Sequence, residues 1–202
     1  MFNGYAARAN PMLAAVLMAW AGSLPAAAQD VTPPQVSTCQ SCHGVNGNST
    51  RPEVPRLNGQ TAEYLAARLK SLRDPTRQSV AAIHAMWDLA NHIGDDDIQA
   101  LARYYAAQTP SVPDRRASRL MTEGRRLYQK GVGNVPSCQS CHGANGEGNG
   151  AVSRLAGQHA KYLDYQLTAF SYTMRYHPGM DRNTMYLTQP EIDALVAYLA
   201  KD

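Results

Sequence analysis

The sequence has no strong charge of either sign, no long apolar run beyond its first 28 residues and no sustained alternation of apolar with polar residues. Nineteen Lys and Arg against sixteen Asp and Glu leave a net charge of +3, too small a bias to mark a nucleic-acid-binding protein. The shortage of apolar runs argues against a polytopic membrane protein, and the missing two-residue period argues against strands. What is present, 44% hydrophobic residues over a chain of 202, describes a folded protein of one large domain or two small ones.

The first 28 residues read as an export signal. Arg8 supplies positive charge, Met12 to Ala21 forms an apolar core too short to span a bilayer comfortably, and Ala26-Ala27-Ala28 fits cleavage beside small residues. The competing reading is an uncleaved membrane anchor. Export places the four cysteines in the oxidising periplasm, where two disulfides are the ordinary expectation.

The spacing argues otherwise. Cys39-Gln40-Ser41-Cys42-His43 and Cys138-Gln139-Ser140-Cys141-His142 are both C-x-x-C-H, the pattern of covalent c-type haem attachment. A zinc ribbon brings its cysteine pairs within roughly 15 to 20 residues, whereas 95 residues, 43 to 137, lie between Cys42 and Cys138. A thioredoxin-like pair needs strands around it. Two thiols three positions apart can each add to a vinyl group of one haem, and the adjacent histidine then offers its imidazole to the iron. Cys39, Cys42, Cys138 and Cys141 are thus the expected attachment points of two haem c groups, with His43 and His142 as fifth ligands.

The chain repeats itself. CQSCHGVNG at 39–47 returns as CQSCHGANG at 138–146, an offset of 99. Arg56, Leu57, Gly59, Gln60, Tyr64, Leu65 and Leu69 return as Arg154, Leu155, Gly157, Gln158, Tyr162, Leu163 and Leu167, an offset of 98. Ile98, Leu101 and Tyr104 return as Ile192, Leu195 and Tyr198, an offset of 94. Helical spacing recurs around these positions, with helix starts at Asp95-Asp96-Asp97 and at Thr188-Gln189-Pro190-Glu191, a capping-box spacing. Turn formers from Thr109 to Asp114 place a linker between the halves. The expected architecture is therefore all-α, with a first domain over 29–109, a linker over 110–118 and a second domain over 119–202. Trp87, Tyr104 and Tyr105 are expected core aromatics.

The same subtraction tests the sixth iron ligand. Met86 falls on Met180, each twelve residues before a matched isoleucine, whereas Met185 falls on Asn91, His84 on Pro178, His177 on Ile83 and Met174 on Val80. Met86 and Met180 are the expected sixth ligands, with Met185 as the chief rival of Met180. His84, His92, His159 and His177 read as surface or supporting residues. A thioether opposite an imidazole favours reduced iron and leaves no open position, which suits electron transfer rather than turnover. Pro55 can serve as a carbonyl partner for His43, or only shape its loop.

Two C-x-x-C-H-G units, each followed by R-L-x-G-Q, a helix, a methionine and a terminal helix, resemble the dihaem cytochrome c4 family over nearly all of the chain after residue 28. The resemblance implies two tandem class I cytochrome c domains related by a pseudo-twofold axis, passing electrons in the periplasm towards terminal oxidases. Two departures stand out: Ser153 replaces Pro55 in the second half, and only nine residues from Val31 precede Gln40-Ser41, too few for the opening helix that Ser118 to Lys130 supplies to the second half.

From Gln29 to Pro110 there are 7 basic and 8 acidic residues, and from Ser111 onward 11 and 8. Arg115, Arg116, Arg119, Arg125, Arg126 and Lys130 gather near the linker, as a steering patch for an acidic partner or as a solvated face. The reading that follows is a non-enzymatic periplasmic shuttle between a membrane or soluble redox donor and a terminal oxidase or similar acceptor, with transient docking on membrane complexes and no nucleic-acid partner. The alternatives are the cytochrome subunit of a dehydrogenase, of the flavocytochrome sulfide dehydrogenase type, and a dihaem peroxidase, which needs an open iron position.

Overall fold

The structure, a computed structural model, describes Met1, residues 32–73 and residues 82–201, with side chains from Met86 onward in the helix that opens at Ala82. Apart from Met1, the expected export segment lies outside the described residues, as does the side chain of His84. The first half contributes α1 (Val36–His43), α2 (Ala62–Leu72), α3 (Ala82–Asn91) and α4 (Asp95–Ala106). The second contributes α5 (Arg119–Lys130), α6 (Gln139–His142), α7 (Ala160–Ser171), α8 (Met180–Thr184) and α9 (Gln189–Leu199). No strand occurs among the described residues, where only isolated bridges such as Val132 to Val135 are found. The all-α expectation holds.

Each half closes around its own apolar cluster. In the first, Ile98, Leu101, Ala102 and Tyr105 form one stripe of α4 and meet Leu65 and Ala66 of α2 and Val36 of α1. In the second, Ile192, Leu195, Tyr198 and Leu199 of α9 are buried, and the last three of them join Leu127 and Tyr128 of α5 and Leu163 of α7 in one cluster. Local chemistry sets the helix ends. The Ser118 hydroxyl accepts from the Met121 amide at 3.0 Å to start α5, and the Glu191 carboxylate accepts from the Thr188 amide at 2.8 Å to start α9.

The halves differ where the sequence does. In the second, α5 crosses α9, the Tyr128 and Tyr198 rings lie 5.4 Å apart, and the Tyr128 hydroxyl donates to the Gly143 carbonyl at 2.5 Å, fixing the end of the haem-motif turn. Among the described residues no counterpart of α5 precedes α1. Tyr104 of α4 packs half-buried on the first cluster, and its hydroxyl donates to Asn46 Oδ1 at 3.0 Å. Of the three expected core aromatics, only Tyr105 is buried. Trp87 of α3, next to half-buried Met86, is exposed.

The segment between the halves is tied down. The Asn58 side-chain amide donates to the Thr109 carbonyl at 2.7 Å, the Asp114 amide donates to the Ala200 carbonyl at 3.0 Å, and the Arg115 guanidinium lies 4.7 Å over the Tyr198 ring. Arg116, Arg119, Arg125, Arg126 and Lys130 are exposed, four of them along the outer face of α5, while Met121, Gly124, Leu127 and Tyr128 face inward. Such exposure suits a solvated helix face and a steering patch alike.

Candidate haem sites

Both C-x-x-C-H motifs end a helical turn. Cys39, Cys42 and His43 close α1, and Cys138 caps α6, which contains Cys141 and His142. Positions three apart share a helix face, so each pair of thiols is presented together. All four cysteines are free, with Cys42 and Cys141 exposed and Cys39 and Cys138 half-buried. Burial pushes the Cys39 thiol up, and the Cys138 thiol up to about 11, so both stay protonated at neutral pH. Among the described residues no group of three or more His, Cys, Asp or Glu converges as a metal cage. Neither a disulfide nor such a cage occurs among the described residues.

A glycine follows each histidine for a conformational reason. Gly44 has φ of 75° and Gly143 φ of 85°, the left-handed region, and a Cβ on Gly44 would stand 2.5 Å from the Asn48 carbonyl oxygen. The chain can turn sharply there and return to the imidazole. On that return, Pro55 O lies 2.9 Å from His43 Nδ1 and Ser153 O lies 2.8 Å from His142 Nδ1. A carbonyl can only accept, so Nδ1 carries the proton in both rings and Nε2 keeps its lone pair. The replacement of Pro55 by Ser153 does not reach this bond, because the backbone supplies the acceptor in both cases.

The two imidazoles are 7% and 8% exposed, and burial holds their pKa values below the usual histidine value. Their carbonyl partners oppose that shift, whereas the charge of Arg51 adds to it at His43 and that of His177 at His142. Neutral, oriented rings with a free Nε2 fit the axial position of a haem iron.

Met86 lies on α3, which packs on α2, and Met180 opens α8, which packs on α7. Both are half-buried, each preceding the helix whose buried Ile98 or Ile192 anchored the sequence match, while Met185 follows α8 and is 51% exposed. His92 and His177 are exposed, as expected. His159 is not: it is buried between the halves, its Nε2 donating to the Ser49 carbonyl at 2.9 Å.

That interface holds residues whose roles the sequence did not reveal. The Gln158 side chain accepts from the Arg56 amide at 2.9 Å and donates to the Arg56 carbonyl at 3.0 Å. The Gln60 side chain does the same to Arg154, at 2.5 and 3.0 Å. The Arg56 guanidinium donates to the Gly157 and Lys201 carbonyls at 3.0 and 2.6 Å, and Lys161 pairs with Glu53 at 2.7 Å. The repeated R-L-x-G-Q segments carried the signal, but only the duplication was legible in it.

Comparison with known proteins agrees with this geometry. The cytochrome c family model matches residues 35–107 and again residues 121–201. Cytochrome c4 of Azotobacter vinelandii is 33% identical over 178 residues, covering 82% of this chain and 84% of that one. The solved structure of Acidithiobacillus ferrooxidans cytochrome c4 is 36% identical, with a TM-score of 0.74 over 81% of this chain and 98% of that one. A thiosulfate dehydrogenase electron acceptor of Thiomonas intermedia is 32% identical over 147 residues, covering 68% of this chain and 64% of that protein.

Proposed function

The chain belongs to the cytochrome c family, and within it to the dihaem cytochrome c4 group, and from that membership we propose how its residues serve electron transfer. It is a dihaem c-type cytochrome of two tandem class I domains that carries electrons and binds two covalently attached haem c groups. Each haem supplies a one-electron iron couple when bound. In our reading the domains span 29–109 and 119–202, joined by 110–118. Cys39 and Cys42 hold the first haem and Cys138 and Cys141 the second. His43 with Met86 would bind the iron of the first haem, and His142 with Met180 that of the second.

The observation that carries this reading is the pair of buried imidazoles, each held by a backbone carbonyl through Nδ1 so that Nε2 is oriented and neutral. His43 and His142 would be the oriented imidazole donors to iron, and Met86 and Met180 the thioether donors. No proton has to move at any of these side chains, and little reorganisation accompanies a change of charge. The role is that of a carrier without turnover of its own, working in the periplasm between a respiratory donor and a terminal oxidase or similar acceptor. No helix among the described residues is long and apolar enough to cross a membrane.

The test is an optical redox titration of the purified holoprotein together with stopped-flow oxidation of the reduced protein by a terminal oxidase. Two one-electron steps, a methionine-to-iron charge-transfer band for each haem and rapid oxidation are expected. A high-spin haem with peroxide turnover would instead indicate a peroxidase.

One observation favours a second reading. The Thiomonas intermedia relative is named for accepting electrons from thiosulfate dehydrogenase, and a dedicated dehydrogenase is a donor of the same kind. Co-purification with such an enzyme, and reduction by it faster than by membrane donors, would assign this chain to that role.

A further inference from the structure

The peptide group that holds each axial histidine is shared with the opposite domain. The carbonyl oxygen of Pro55 accepts from His43 Nδ1 at 2.9 Å, and the N–H of that same peptide, at Arg56, donates to the Gln158 side chain at 2.9 Å. The arrangement repeats with the domains exchanged: the Ser153 carbonyl accepts from His142 Nδ1 at 2.8 Å, and the Arg154 N–H donates to the Gln60 side chain at 2.5 Å. The glutamine orientations follow from chemistry, since a backbone N–H requires the amide oxygen and the Arg56 and Arg154 carbonyls require the amide nitrogen.

We propose that Gln158 tunes the haem held by His43 and that Gln60 tunes the haem held by His142, each across the domain interface through the peptide it shares with the opposite axial histidine. The proposal rests on the assignment of His43 and His142 as iron ligands. A peptide whose N–H donates carries more negative charge on its carbonyl oxygen. That oxygen draws more strongly on the imidazole Nδ1–H, which makes Nε2 a stronger donor to iron and favours the oxidised state. The glutamine amide nitrogen also grips the next carbonyl, so the peptide is held at two points and its plane is fixed.

Burial makes the effect specific. Gln60 and Gln158 are 6% and 7% exposed, so water does not readily replace them. Each glutamine oxygen also accepts from the following amide in its own domain, Thr61 or His159, at 3.0 Å. The relay thus ends on a fixed group. Any partner that loosens the interface would withdraw both glutamines and raise both potentials.

The experiment compares the holoproteins of Q158M and Q60M, which keep side-chain length without the amide, with the parent. Q158N and Q60N keep the amide but withdraw it from reach. The readouts are the midpoint potential of each haem, assigned with M86A and M180A, and the Nδ1–H proton resonance of each axial histidine in the reduced protein. Q158M should raise the potential of the His43 haem, giving about a threefold higher ratio of reduced to oxidised haem at fixed ambient potential, and shift the His43 resonance alone. Q60M should do the same to the His142 haem. The double variant E53Q/K161Q cuts an ion pair at the rim of the same interface at constant net charge and should move neither.

Shifts in the haem of the substituted domain, equal shifts in both haems, or no shift would overturn the proposal. So would failure of both the Met and the Asn variants to load two haems, which would make the glutamines parts of the fold. A parent spectrum without two histidine-ligated haems would defeat the ligand assignment itself, a result distinct from two such haems with uncrossed shifts.

Discussion

Gly124 of α5 lies against the Ala194 carbonyl of α9 so closely that a Cβ built on it would stand 1.8 Å from that oxygen. Two helices cross at this point without a side chain between them, which lets Leu127 and Tyr128 reach the core of the second half. Ala suits a helix better than Gly by about 1 kcal/mol, but the overlap here is with backbone, which cannot swing aside. Gly124→Ala should therefore destabilise the holoprotein by about 1–3 kcal/mol, read as a lower midpoint in guanidinium. An unchanged or higher midpoint would show that the helices can move apart at little cost.

Removal of haem should abolish cooperative folding. Each half buries only a small apolar cluster, and about 80 residues supply little core without a cofactor to complete it. The measurement is the amide spectrum and thermal melt of protein made without haem attachment. Dispersed resonances with a sharp transition would contradict the expectation.

The axial bonds should not depend on whether proline or serine supplies the carbonyl. Pro55→Ser, which copies the second half into the first, should retain the His43 Nδ1–H resonance and leave the midpoint of that haem nearly unchanged. Loss of the resonance would mean that the proline ring, rather than the backbone, sets the bond.

Acid titration should find both imidazoles protected. Their folded pKa values lie below the ordinary 6.5 because burial disfavours the charged ring. The unfolded chain then binds more protons than the folded one, so the associated stability is complete above 6.5 and is lost progressively as pH falls from there through the lower folded values. Iron bound at Nε2 strengthens this order. The low-spin spectrum should persist as pH falls through 6.5, and a transition centred at that pH would contradict it.

Much of this was written in local spacing. The two C-x-x-C-H units, the stripe of Ile98, Leu101 and Tyr105, and the Thr188–Glu191 capping box are each set within a few residues, and pattern exposes them. The Gln158–Arg56 and Gln60–Arg154 pairs join positions about a hundred residues apart, and no periodicity marks which partner a glutamine will meet. Of the surface and supporting alternatives for His159, pattern cannot choose for the same reason, because its partner Ser49 lies on the other domain. Trp87 is exposed and Tyr104 packs half-buried on the first cluster, because residue type alone does not say how deeply an aromatic side chain sits.

The most direct test of the account is the methionine-to-iron charge-transfer band of the oxidised holoprotein, counted per molecule in the parent, M86A, M180A, the double variant and M185A. The account predicts two units in the parent, one in each single variant at Met86 and Met180, none in the double variant and two in M185A. Two units retained in M180A together with loss of one in M185A would contradict the ligand pair, and a parent band of a single unit would contradict the assignment of two His/Met haems.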